Sequence, residues 1–437
     1  MAGRVGRTVA AVLVAALVTA CTDTAGPRRA AETPTRDPSP TTLASRAQTA
    51  LDAQRQRHQA ADDIMLAREQ AVAAKDERAW LADVDAGNRR LVRRQKRLFA
   101  NLVQLPLRTF TLRALEASWP SDFAAPRFRS TAYIPYVEQQ LQLSGFDREP
   151  VTTTYGITLA PVDGRWQIVA DDDVAAQEPP RARDAPWDLT RIVVRRSPHA
   201  LGIFDRGSVR SADRLLSWTE QSLRIVQARV PFRWRGSVVF YALSSPRLLR
   251  RMGTRFLDRA AIAFPVVDSS DDPTRRVSTR VMVNPEFLPR NEFQGTYLLS
   301  HEITHVALAR TSPWTPAWLQ EGLADHVATR GADPSRWVPG RSTVARARRG
   351  VSTLPWSTFF GDADPRFEYD LSLAACTVLA ARSGERRLWA FLDRLADAGR
   401  TDGDPEAHVD EVLGAMFGLD QRRLAGEAAR LLVRRGT

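Results

Sequence analysis

Cysteine is scarce in this chain of 437 residues: Cys21 and Cys376 are the only two, so no disulfide framework can support it. Long apolar runs are lacking as well. The most apolar stretch near the start, residues 9–18, is too short to span a bilayer, and no other segment is long and apolar enough to do so. Histidine is rare, with six in all, so two of them at a meaningful spacing carry information. Net acidity is absent too: the formal charge is +12. That charge permits anionic partners without identifying one.

What the start does contain reads as an export signal. Arg4 and Arg7 precede the apolar run, and Thr19-Ala20-Cys21 follows it. Val18-Thr19-Ala20-Cys21 is similar to a bacterial lipobox. That resemblance implies removal of residues 1–20, lipid on Cys21 and residence on the extracytoplasmic face of the cell membrane. An ordinary secretory signal with an incidental cysteine is the other reading. Cys376, in an apolar helical stretch, reads as a small core residue. Export also disfavours nucleic acid as a partner, since a basic patch alone is only an electrostatic footprint.

Residues 21–42, rich in Pro, Thr, Ala and charge, read as the lipidated cysteine and a disordered tether. Residues 43–174 read as one α+β domain. Two long helices, near 46–73 and 78–102, precede strands near 107–117, 128–141, 151–159 and 166–170. Asp163-Gly164 marks a hairpin turn between the last two. Helices followed by an antiparallel meander are similar to NTF2-like or cystatin-like domains. His58 reads as an isolated helical histidine. Arg89, Arg90, Arg93, Arg94, Lys96 and Arg97 alternate with Leu91, Val92, Leu98 and Phe99. This suits a solvated face opposite a buried stripe, or a basic surface held against anionic lipid or wall polymer.

Residues 175–187, with Pro179, Pro180 and Pro186, read as a linker to a second domain at 188–437. Strands are expected near 191–203, 237–242, 261–267 and 279–283, with a helix over 211–229. The acidic stretch at 268–272, followed by Pro273, lacks a calcium-loop pattern and reads as an exposed turn. Helices near 369–381, 386–398, 408–417 and 420–434 complete an α-helical C-terminal subdomain.

The chemistry concentrates in His301-Glu302-Ile303-Thr304-His305. Residues four apart on a helix lie roughly 40° apart in projection, so His301 and His305 point the same way and can grip one metal ion. Glu302 lies beside that face as a base for an attacking water. Asn291 can cap this helix, and Pro313 marks its latest end. Thr315 and Pro316 then open a second helix closing near Gly331. So short a connection makes the helices antiparallel, which returns Glu321 to the histidine pair as a third ligand. Asp325, one turn on, can accept the free N–H of a ligand histidine.

HEITH followed by Trp318-Leu319-Gln320-Glu321-Gly322-Leu323-Ala324 resembles the gluzincin zinc metallopeptidases. The resemblance implies one Zn2+ held by His301, His305 and Glu321, Glu302 as general base, and Asp325 behind a ligand. His326 stands where tyrosine is frequent in such proteins. The resemblance further implies a sheet edge that receives a peptide or protein substrate, with residues 280–283 as the expected strand. It also implies a downstream tyrosine for the oxyanion, with Tyr369 the candidate and His408 its competitor. Two other function classes compete: a zinc-stabilised envelope scaffold acting through its N-terminal domain, and a metal-dependent hydrolase acting on something other than peptides. Intact Glu302 argues against the scaffold. Oligomeric state is not legible.

Overall fold

The computed structural model describes residues 40–178, 184–253, 257, 259–267, 276–288, 291–309, 315–332, 337–356, 364–398 and 404–436. The expected export signal, Cys21, nearly all of the tether, the acidic stretch at 268–273 and Pro313 lie outside them. The chain divides into two compact units, Met1–Ala53 and Gln54–Thr437. Of the first unit only residues 40–53 are described; they are the helical start of α1 (Pro40–Ala74). The second unit carries all the other elements.

α2 (Glu77–Leu81) and α3 (Arg89–Leu102) come next. The sequence favours one helix over 78–102, but short polar side chains interrupt it. Asp85 accepts the Gly87 N–H (2.8 Å), and Asn88 accepts the Leu91 N–H (3.1 Å) while donating to the Val169 carbonyl (3.1 Å). These bonds compete with the helical ladder, cap α3 and pin it to a strand. α3 then buries Leu91, Gln95 and Phe99 and exposes Arg89, Arg90, Arg93 and Lys96.

β1 (Leu107–Trp119), β2 (Ile134–Leu143) and β3 (Val151–Gly156) form an antiparallel sheet in that order. β4 (Thr158–Val162) and β5 (Arg165–Ala170) form a separate hairpin. The stretch expected as one strand over 151–159 is divided at Ile157 between the two sheets. At the hairpin turn Asp163 and Gly164 both take positive φ, 50° and 75°. That pair matches the right-handed twist of the flanking strands. Met65, Leu91, Val137, Leu159 and Ile168 pack helices against strands.

After α4 (Pro186–Leu189), the region expected as one strand at 191–203 is a hairpin of β6 (Ile192–Arg196) and β7 (Ala200–Asp205). α5 (Ala212–Arg229) carries the chain from β7 to its parallel neighbour β8 (Val238–Ala242). α6 (Pro246–Met252), β9 (Ala261–Val267) and β10 (Arg276–Val283) follow. The sheet order is β6-β7-β8-β10-β9. Residues 280–283 are therefore interior: β10 pairs with β8 on one side and β9 on the other, so both of its edges are occupied. The edge strand on that side is β9, with β6 at the opposite edge. Among the described residues seven helices follow: α7 (Glu292–Ala307), α8 (Ala317–Ala332), α9 (Arg341–Arg348), α10 (Pro365–Ser383), α11 (Glu385–Ala398), α12 (Pro405–Phe417) and α13 (Gln421–Arg435). The protein is α+β.

One apolar cluster joins the N-terminal helices and meander to this second sheet, through Trp80, Phe99 and Leu141 against Trp187, Leu201, Tyr241 and Met282. A buried ion pair reinforces it. Asp147, in the β2–β3 loop, receives Arg280 Nη2 at 2.5 Å, Ser278 Oγ at 3.1 Å and the Leu143 N–H at 2.9 Å. Burial disfavours the charge on Arg280, but Asp147, helped by Tyr241, outweighs it and raises the guanidinium pKa further. Asp147→Ala strands that charge in the core and should cost about 3–5 kcal/mol. Urea unfolding followed by far-UV circular dichroism measures it. Adding Arg280→Met to the same protein should recover part of the loss.

Candidate metal centre

Asn291 caps α7 by accepting the Gln294 N–H at 2.8 Å, which starts the helix that carries His301, Glu302 and His305. α8 lies against it and brings Glu321 and Asp325. α10 packs on the far side of α8 at Gly322. A Cβ there would meet the Ser372 carbonyl oxygen at 2.4 Å and Cys376 Sγ at 2.7 Å, so only glycine permits this approach. Cys376 is wholly buried, as the sequence suggests. α8 closes at Ala332, beside Gly331 as expected, and the bare Cα of Gly331 faces Ile225 of α5; a Cβ would stand 2.1 Å from that side chain.

The histidines and Glu321 converge. His301 Nε2 is 3.1 Å from His305 Nε2 and 3.1 Å from Glu321 Oε2, and Glu321 Oε2 is 3.3 Å from His305 Nε2. Behind His301, the Asp325 carboxylate can only accept, so Nδ1–H donates to its Oδ1 at 2.7 Å and Nε2 is the nitrogen turned toward the cluster. Tyr297 donates to the same oxygen at 2.9 Å. Burial disfavours charge on His301, but Asp325 and Glu321 outweigh it and hold its pKa well above the ordinary value. Burial would likewise raise Glu321, yet the His305 and His301 rings hold its carboxyl far below the usual range. The Tyr297 hydroxyl is pushed well up, by burial first and then by Asp325.

This donor set fits a zinc ion. Around a tetrahedral Zn2+ with Zn–N of about 2.0–2.1 Å, neighbouring donor atoms stand about 3.3 Å apart. The three edges here are 3.1, 3.1 and 3.3 Å. Glu321 Oε2 is buried and makes no hydrogen bond, so its lone pairs are available to a cation. Among the described residues this is the one group of three or more His, Cys, Asp or Glu able to hold a metal ion.

Glu302 is buried one residue after His301, and its Oε2 accepts the Ala263 N–H of edge strand β9 at 2.6 Å. Tyr369, at the start of α10, stacks edge-on to His301 with ring centroids 6.0 Å apart. Its hydroxyl accepts from Arg259 Nη1 at 3.4 Å. Burial raises the Tyr369 pKa and Glu321 adds to the rise, while His301 and Arg259 oppose it. His408 instead faces Glu411 on its own helix at 3.6 Å, His326 lies 3.4 Å from Glu385, and His58 meets Tyr133 and Asp62. Tyr297, Ala263 and Arg259 escape the sequence reading. Tyr297 left a signal, one turn before His301. The other two come from a strand and a preceding loop with no motif.

Neither a family model nor a curated protein sequence matches the chain. Its structural neighbours are M1 zinc metallopeptidases. One, a mutant from Deinococcus radiodurans, is 15% identical over 70% of this chain and 62% of its own, with a TM-score of 0.33. Another, a two-domain mutant bound to L-arginine, is 15% identical over 55% of this chain and 51% of its own, also at 0.33. The chain thus spans between about half and three-fifths of the structures it matches, and likeness at these TM-scores supports no assignment of substrate or site residues.

Proposed function

We propose that this chain is a zinc metallopeptidase. The observation that carries the reading is the cluster of His301, His305 and Glu321 donor atoms within 3.3 Å of one another, with the buried Glu302 carboxylate next in sequence. A Zn2+ held there supplies Lewis acidity toward a carbonyl and makes water a nucleophile near neutral pH. Asp325 orients His301. Glu302 takes a proton from the attacking water and returns it to the leaving amine as the C–N bond breaks. The Ala263 N–H holds that carboxylate beside the outer edge of β9. That edge, rather than residues 280–283, is the strand onto which an extended peptide backbone adds. Tyr369, flanked by Arg259, is the donor for the oxyanion.

The purified protein should hydrolyse fluorogenic peptides. It should lose that activity to 1,10-phenanthroline and regain it with about one equivalent of Zn2+. Zinc uptake without peptide turnover across a broad library would favour the scaffold reading.

The remaining parts of the reading concern location and the N-terminal half. Residues 43–174 serve as an NTF2-like or cystatin-like accessory domain; helices packed on an antiparallel sheet support this. Lipid on Cys21 anchors the chain at the extracytoplasmic face of the membrane, as the lipobox-like Val18-Thr19-Ala20-Cys21 suggests. Stable attachment takes more than one acyl chain. Wild-type protein should therefore take up labelled fatty acid and sediment with membranes, and Cys21→Ser should do neither. Equal retention of both would sink the anchor.

A further inference from the structure

Arg90, Arg94 and Arg97 recur at spacings of four and three on α3, so they share a face. That face looks into a cavity of about 400 Å³ which Arg68 of α1 and Arg247 and Arg251 of α6 also line. Among the described residues six guanidinium groups meet four carboxylates there, a surplus of two positive charges. Part of the set is internally compensated. Arg94 pairs with Asp171 and with Asp172 (2.9 Å), Arg90 lies 3.8 Å from Asp172, and Gln95 bridges Asp171 to Arg68 at 2.6 Å on each side. This network fixes the floor of the cavity.

Other donors in the wall have no such role. Nε of Arg94 and Nε of Arg97 are buried without a hydrogen-bond partner among the described residues, although a buried donor left unmade costs about 1–3 kcal/mol. Arg247 and Arg251 are exposed, and among the described residues neither joins an ion pair. Guanidinium forks match the oxygens of phosphate and carboxylate two at a time. The cavity is also within the size range of small-ligand sites, about 300–1,000 Å³.

We propose that this arginine-lined cleft between α3 and α6 binds a phosphoryl group, offered either by a soluble phosphate compound or by an anionic lipid headgroup. A phosphoryl group offsets the surplus, by one charge as a diester and by up to two as a monoester, and gives the Arg247 and Arg251 forks acceptors. Arg247 and Arg251 form the outer wall, and Arg97 the inner one. The inference is independent of peptide hydrolysis, since none of these residues belongs to the metal centre.

The test compares wild type with the Arg247→Ala/Arg251→Ala double variant. Both substituted side chains are exposed, so thermal melts in phosphate-free buffer and peptide turnover should match wild type. Calorimetric titration with inorganic phosphate should show saturable binding by wild type, at least tenfold weaker in the variant and weaker still for succinate. Flotation with phosphatidylglycerol–phosphatidylcholine vesicles, against phosphatidylcholine alone, is the second arm. Variant-sensitive binding to phosphate alone assigns a soluble ligand, and variant-sensitive capture by the anionic vesicles assigns a headgroup. The proposal falls if neither probe binds, if binding ignores the substitutions, or if succinate binds as tightly as phosphate.

Discussion

Glu302→Gln should abolish peptide hydrolysis while leaving zinc content and thermal melt unchanged. Gln keeps the shape of the side chain, and its carbonyl oxygen can accept the Ala263 N–H that Glu302 Oε2 now takes at 2.6 Å. His301, His305 and Glu321 remain, so the donor triangle survives. What disappears is a carboxylate able to take a proton from water, and general-base contributions run at about 10²–10⁴-fold. Turnover of a fluorescent peptide, metal analysis and a melt on the same preparation separate the possibilities. Complementation of a deletion strain adds a cellular readout. If Glu302→Gln complements fully, the cell uses the protein for something other than its chemistry, and the scaffold reading returns.

Glu321→Ala should lose zinc far more severely than Asp325→Ala. Glu321 Oε2 is one of three inward-facing donor atoms, and its removal leaves two imidazoles that cannot complete a closed ligand set. Of the three proposed ligands Asp325 touches only His301, at its outer nitrogen, 2.7 Å away; its other partner is the Tyr297 hydroxyl. Loss of such a partner costs about 10–100-fold in metal affinity or activity, so Asp325→Ala should retain zinc until a chelator competes. Stability should report the same order. A ligand that binds only the folded chain adds about 4 kcal/mol at a thousandfold excess over its Kd, so zinc should raise the melting temperature of wild type clearly and of Glu321→Ala hardly at all. Metal content after dialysis against a mild chelator decides the order. Stoichiometric zinc in both variants would put the third ligand elsewhere.

What could be read from the chain and what could not divide along sequence separation. The meeting of His301 with His305 follows from helical pitch alone, and Asn291 marks the start of that helix in its own side-chain chemistry. The approach of Glu321 is expected from the short connection between the two helices, and Asp325 follows from Glu321 by one helical turn. The Asp163-Gly164 turn is local in the same sense. Each depends on a few neighbouring dihedrals, which residue type and spacing govern directly.

Strand order was decided elsewhere. β9 and β10 are both legible as strands, yet only their pairing shows that β10 is interior and β9 the edge, so that Ala263, and not residues 280–283, lies beside Glu302. Arg259 beside Tyr369 joins residues 110 apart, and Arg280 on Asp147 joins residues 133 apart. Nothing in the local pattern at either end specifies such partners. The break of the expected helix at 82–88 has the same origin: Asn88 both caps α3 and reaches Val169, 81 residues on. Local propensity governs the pieces of this protein. Burial of charge and the competition for hydrogen-bond partners across the chain, which exist only once the pieces pack, chose which of them stand around the metal centre.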